Sequence, residues 1–223
     1  MKKALLAFLC SGATIGAASA QVEIGLKVSP SLTNWRTDSP ATYGFQNESA
    51  KLGLGGGLII DYFFGQNYAF STGLELTGKG GKISYFDPTL NRRIEQKIGL
   101  QYLQVPVTVK LFTNDVATDT KLYFQLGGSL NAAIAGRING NKRYQDPATS
   151  QETKGVKHVI LPDVALRAGV GIERQLGQST KLLAGVSYHR GLVNVDRYFD
   201  KDRKFKDIVL KNNEFALDLG LKF

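Results

Sequence analysis

The stretch Phe215-Ala-Leu-Asp-Leu-Gly-Leu-Lys-Phe223, the last nine residues of the chain, alternates apolar and polar without a fault. Phe215, Leu217, Leu219, Leu221 and Phe223 share one face, and Ala216, Asp218, Gly220 and Lys222 share the other. Successive side chains leave a pleated strand on opposite sides, so period-two alternation predicts a strand with one apolar face. The rest of the chain can be tested for further strands of the same kind.

Seven more such segments precede it. Val22, Ile24, Leu26 and Val28 alternate with Glu23, Gly25, Lys27 and Ser29, and this strand ends near Pro30 to Leu32. Leu52, Leu54, Leu58, Ile60 and Tyr62 oppose Lys51, Gly53, Gly55, Gly57 and Asp61; a tight turn at 64–67 leads to Tyr68, Phe70, Leu74 and Leu76 against Ser71, Gly73, Glu75 and Lys79. A fourth strand covers residues 98–112, with Leu103, Val105, Val107 and Val109 outward. In that strand Ile98 and Leu100 fall on the opposite parity, which implies either a bulge near Gln101 or a stretch above the membrane. Pro106 cannot donate to a ladder and needs a site where no carbonyl waits. The fifth, sixth and seventh strands carry Leu122 to Ile134, Val164 to Ile172 and Leu182 to Tyr188 outward. Polar stretches 33–50, 78–96, 137–159 and 193–211 read as long loops after odd strands, and 64–67, 114–120 and 176–180 as short turns after even ones. Eight antiparallel strands with loops long on one side and short on the other predict an up-and-down transmembrane β-barrel, with both termini on the periplasmic side.

Bulk properties agree. Met1-Lys-Lys3, the apolar run from Ala4 to Ile15 and Ala18-Ser-Ala20 fit a signal peptide over 1–20, cleaved before Gln21 and leaving the barrel domain 21–223. The apolar run is shorter than the roughly 20 residues a spanning helix needs. Cys10, the single cysteine, lies within it, so the mature chain has no thiol chemistry. Loss of Lys2 and Lys3 lowers the formal charge from +9 to +7. In an exported protein that surplus points to phosphorylated glycolipid or surface polysaccharide, and not to nucleic acid. The chain holds 43% hydrophobic residues, and its mature part has no run of even six apolar ones, which excludes helical spans but not alternating strands.

A soluble sandwich or lipocalin-like barrel would also alternate. Here, however, the polar phase is crowded with small residues, Gly53, Gly55, Gly57, Gly73, Gly127, Gly169, Gly171 and Gly185, which suits a narrow lumen. Tyr62, Phe63, Phe64, Tyr68, Phe70, Phe112, Tyr123, Phe124 and Phe223 cluster at the short-turn end as a predicted periplasmic girdle.

Gly25-Leu-Lys-Val28, Leu100-Gln-Tyr-Leu-Gln-Val-Pro-Val-Thr-Val-Lys110, Leu122-Tyr-Phe-Gln-Leu-Gly-Gly128 and Gly185-Val-Ser-Tyr-His-Arg-Gly-Leu192 resemble the PorT-like outer-membrane β-barrel family of Bacteroidota. The resemblance spans nearly the whole mature chain and is most specific at Tyr102-Leu-Gln-Val-Pro106. It implies an eight-stranded barrel, and the namesake takes part in a protein secretion machine for surface-exported cargo. It supplies no catalytic residues.

The parity places Lys27, Lys51, Lys79, Lys110, Lys121, Arg167 and Lys222 inward beside Glu23, Asp61, Glu75, Glu173, Glu214 and Asp218. An eight-stranded interior is just wide enough for its own side chains, so these charges predict an ion-pair network, not a general pore. Ser187 and His189 also point inward. They are the one candidate nucleophile and base, for a lipid A deacylase-like enzyme, although Gly185-Val-Ser-Tyr-His lacks the second glycine of a nucleophile elbow. Asp200-Lys-Asp202 lacks the glycine and the bidentate Glu of a calcium loop, and Gly53-Leu-Gly-Gly-Gly57 lies inside a strand, so no metal or cofactor is expected. Surplus cations lie in the long loops, Lys82, Arg92 and Arg93 in one and Arg137, Lys142, Arg143, Lys154 and Lys157 in another. They suit either contact with outer-leaflet phosphates or docking of an anionic glycan or protein partner from the envelope. The C-terminal strand ending at Phe223 is the expected contact for barrel-assembly machinery. The resulting expectation is a non-enzymatic structural or accessory barrel, with the lipid-modifying enzyme as the alternative.

Overall fold

The computed structural model describes residues 21–160 and 162–223. The expected signal peptide and Cys10 lie outside them. Eight strands close into a barrel: β1 (Val22–Asp38), β2 (Gln46–Gly65), β3 (Tyr68–Asp87), β4 (Arg92–Ala117), β5 (Thr120–Ile138), β8 (Asp163–Gln175), β9 (Lys181–Gly191) and β10 (Val209–Lys222). Two short strands, β6 (Arg143–Gln145) and β7 (Glu152–Lys154), form a hairpin in the loop between β5 and β8. Each barrel strand pairs antiparallel with its sequence neighbour, and β1 closes on β10. Ile24 and Phe223 exchange backbone hydrogen bonds at that seam, at 3.2 and 2.8 Å. The faultless alternation of 215–223 is therefore the closing edge of the ring.

The apolar phase faces outward, with Leu26, Leu54, Leu74, Val107, Leu126, Leu166, Phe215 and Leu219 all exposed. Bare apolar side chains around a whole ring are stable only in lipid. The three short turns come where expected. The long polar stretches do not form loops throughout, because the strands continue through much of them. Residues 33–38 prolong β1, 46–50 begin β2, and β3 and β4 run on until only Pro88 to Asn91 joins them.

These extensions have a physical signature. Within the membrane-facing part of β3 and β4, Leu74, Leu76, Leu103 and Val105 point out, whereas above it Ile83, Tyr85, Ile98, Leu100 and Tyr102 point in and are buried. A strand that leaves lipid for water must exchange its faces, because its outside is now wet. Ile98 and Leu100 thus belong to a stretch above the membrane, and β4 keeps its parity. A register shift is nonetheless present there, and its extra residue is Ile134 on β5. Pro106 occupies a gap in the β3 ladder between the pairs Thr72 with Val107 and Glu75 with Gln104, so its missing N–H leaves no acceptor waiting.

The inverted segments enclose an extracellular core of Trp35, Phe45, Ile83, Tyr85, Ile98, Tyr102, Tyr144, Tyr198, Phe199, Phe205 and neighbours. At its centre Arg203, on the loop before β10, donates to Asp87 at 2.6 Å and to both oxygens of Asp146 at 2.7 and 2.9 Å. The polar stretches 137–159 and 193–211, which read as long loops in the sequence, are therefore packed into a cap.

Candidate functional site in the lumen

Two layers of charge fill the barrel. In the upper layer, Lys27 Nζ lies 2.9 Å from Glu75 Oε1 and 3.0 Å from Asp218 Oδ1. Arg167 reaches both oxygens of Glu75 at 3.1 Å, and Lys79 pairs with Glu214 at 3.2 Å. In the lower layer, Lys222 Nζ meets Asp61, Glu23 and Glu173 at 2.8, 2.8 and 2.7 Å. Lys110 pairs with Asp61 at 2.7 Å, and Lys181 pairs with Glu23. All the carboxylates and most of the cations are buried. Buried charges are tolerated only when paired, and here six cations meet six carboxylates.

Two residues expected in this network are elsewhere. Lys121 is half-buried at the periplasmic mouth beside Asp115, Asp119 and Glu173, and makes no ion pair within 4 Å among the described residues. Lys51 lies on the outer wall: its Nζ is 3.1 Å from where a Cβ on outward-facing Gly99 would be, because the shifted register between β2 and β3 swings the side chain out. Lys181, the first residue of β9, is the network member that the sequence reading lacks, although Leu182 outward implies Lys181 inward.

Both ends are stopped. Phe63, Phe112 and Tyr123 do not join the lipid-facing girdle, since their parity turns them in. Phe63 stacks on Phe112 at 5.4 Å, with Lys222 Nζ 5.6 and 5.7 Å from the two rings. Tyr62, Phe64, Tyr68, Phe70, Phe124 and Phe223 remain exposed on the outside. The Tyr123 ring lies along the wall over β8 and β9, so closely that a Cβ at Gly171 would meet its hydroxyl at 2.6 Å and one at Gly185 at 2.3 Å, which accounts for glycine at both positions. Between the stoppers, the free space beside Tyr123 and Arg167 amounts to about 10 Å³, at the lower bound for one water.

Ser187 and His189 face the same interior. His189 Nε2 lies 3.1 Å from Ser187 Oγ and its Nδ1 lies 3.0 Å from Glu214 Oε2, an arrangement of nucleophile, base and acidic orienter. Ser187 Oγ is also 2.7 Å from Asp218 Oδ2, which competes with His189 for its single proton. Both side chains are buried, Ser187 at 2% and His189 at 4% exposure.

The basic loop residues divide. Lys82 pairs across the hairpin with Glu95, Arg143 pairs with Glu152 at 3.0 Å, and Arg93 is spent on the Gly44 carbonyl and Ser84. Arg92, Arg137, Lys142, Lys154 and Lys157 have no carboxylate within 4 Å among the described residues, and Arg137, Lys142 and Lys154 line adjoining depressions on one outer face. No group of His, Cys, Asp and Glu among the described residues is arranged to hold a metal.

A lipid-facing ring of eight strands around a filled, charge-paired interior defines an integral β-barrel of the bacterial outer membrane. The model of the outer membrane protein beta-barrel domain matches residues 17–197, and the chain belongs to that family. No curated protein matches it in sequence. Among solved structures it is similar to Neisserial surface protein A, at 10% identity and a TM-score of 0.50 over 92% of this chain and 98% of that one. OprG from Pseudomonas aeruginosa aligns at 12% identity and a TM-score of 0.45, over 93% and 98% of the two chains. Ail of Yersinia pestis, solved with the heparin analogue sucrose octasulfate, aligns at 12% and 0.39, over 91% and 99%. At such identities the likeness concerns the fold alone.

Proposed function

We propose that this protein is a non-enzymatic, non-conducting barrel of the PorT-like kind, an accessory component that holds a folded extracellular cap at the cell surface for protein secretion or surface assembly. The observation that carries this reading is the interior itself: two layers of charge locked between an aromatic stopper below and a packed cap above. A chain built to pass solutes would keep a water column open, and one built to display would make its scaffold rigid. The segments Leu100 to Lys110 and Gly185 to Leu192 support the PorT-like assignment. The tagged barrel, extracted in mild detergent from its native outer membrane, should carry a stoichiometric protein partner identifiable by mass spectrometry. A barrel that emerges alone under every mild extraction would count against the accessory role.

The geometry of Ser187, His189 and Glu214 favours one second reading, a lipid-modifying enzyme. Against it, the triad lies inside the barrel, away from the lipid-facing surface, and Asp218 holds the serine proton. Mass spectrometry of lipid A from cells carrying Ser187→Ala should match the parent; a changed acylation pattern would establish the enzyme.

A further inference from the structure

The outer wall carries a depression where the apolar band ends. Gly78 on β3 and Gly99 on β4 face outward with no side chain, and Leu54 rises beside them, leaving a groove of about 550 Å³. Lys51, Lys97 and Arg137 stand around it. None of the three has a carboxylate within 4 Å among the described residues, in contrast to the balanced lumen a few residues away. Across Arg137 the groove continues into a second depression of about 540 Å³, edged by Lys142, Arg143 and Lys154 above Ile134. Leu52 and Leu54, 81% and 71% exposed, lie on its membrane side. Lys51, Lys97 and Arg137, gathered around one groove without a counter-ion and directly above lipid-facing leucines, form an anion site whose ligand also has an apolar part.

From this placement we infer a site for the phosphorylated head group of an outer-leaflet glycolipid, with phosphate between Lys51, Lys97 and Arg137 and acyl chain along Leu54 and Leu52. Gly99 is essential to it, because the Lys51 ammonium occupies the space its side chain would take. The long loops mark this end as extracellular, which places the groove in the leaflet where such lipid resides.

The test uses the full barrel in lipid nanodiscs containing a bis-phosphorylated lipid A or the same lipid after phosphatase treatment, with retained lipid counted by native mass spectrometry. The phosphorylated form should be retained and the dephosphorylated form lost, and millimolar inorganic phosphate should not displace it. Neutralising one cation, as in Lys51→Gln or Arg137→Gln, should weaken retention about tenfold, the value of one charge-assisted hydrogen bond. Gly99→Leu keeps every charge, and its Cβ would meet backbone only at ordinary contact distance, 3.9 Å from the Arg137 carbonyl oxygen, yet it should abolish retention by displacing Lys51. Lys201→Gln with Lys204→Gln and Lys206→Gln removes three charges from another loop and should retain the lipid. Heat-modifiable gel mobility verifies that each variant is folded. Equal retention of both lipids, displacement by free phosphate, full retention by Gly99→Leu, or equal loss in the control triple would each overturn the assignment.

Discussion

Replacing Lys222 by Met tests the lumen network at its most connected point. The Lys222 ammonium is fully buried and touches three carboxylates, Asp61, Glu23 and Glu173, at 2.7 to 2.8 Å. Met keeps an unbranched apolar chain of similar length, so the change removes the ammonium, with its contacts to the carboxylates and to the Phe63 and Phe112 rings. The lower layer then holds three carboxylates against Lys110 and Lys181 alone. Leaving a buried charge without its partner costs about 3–5 kcal/mol, and the strand seam at Ile24 and Phe223 lies next to the lost contact. Urea unfolding in micelles can be followed by gel mobility for the barrel and by fluorescence of Trp35, the single tryptophan, which is buried in the cap. Adding Glu173→Gln restores charge balance and should recover about 2 kcal/mol of the loss. A Lys222→Met barrel within about 1 kcal/mol of the parent, or a double variant weaker than the single one, would refute the claim that these charges are mutually dependent.

Three further outcomes follow from the cap and lumen. Arg203→Met should leave Asp87 and Asp146 buried without a cation, opening the loop between β9 and β10 to limited proteolysis while the barrel still migrates as folded. Burial depresses the His158 imidazole to about 4, partly offset by Asp146, so the neutral ring stacked on Tyr198 contributes stability that is complete above pH 6.5 and is lost as pH falls through 4. That loss is worth about 3 kcal/mol and should be absent in His158→Phe. Asp196 has the opposite sign: burial raises its carboxyl to about 7, so its contribution is complete below the ordinary carboxylate range and lost as pH rises through 7, and Asp196→Asn should protect the cap from proteolysis at pH 8.

Strand number, the facing of the apolar phase and the closing role of residues 215–223 were legible because lipid and lumen impose one parity on each spanning strand. The cap was not, although its signal is present. Ile83 and Tyr85 fall on the parity opposite to Leu74 and Leu76, as Ile98 and Leu100 do to Leu103 and Val105. Such an inversion marks where a continuous strand passes from lipid into water, but amid Gly, Ser and Lys it reads as loop. Arg203, Asp87 and Asp146 meet from three distant segments, and no local pattern announces that contact. Parity also misplaced Lys51, because the register shift between β2 and β3 lets its side chain leave the face its number assigns. Phe63, Phe112 and Tyr123 were grouped with the girdle by level alone, and their odd or even position distinguishes stopper from belt.

The central claim is a barrel closed along its whole axis by paired charge, stopper and cap. Conductance of the purified protein in a planar lipid bilayer tests it most directly. The account predicts no defined current steps for the parent, and none after proteolytic trimming of the cap, since the two charge layers and the Phe63 and Phe112 stack remain in place. Reproducible unitary steps from the intact, folded barrel would contradict it.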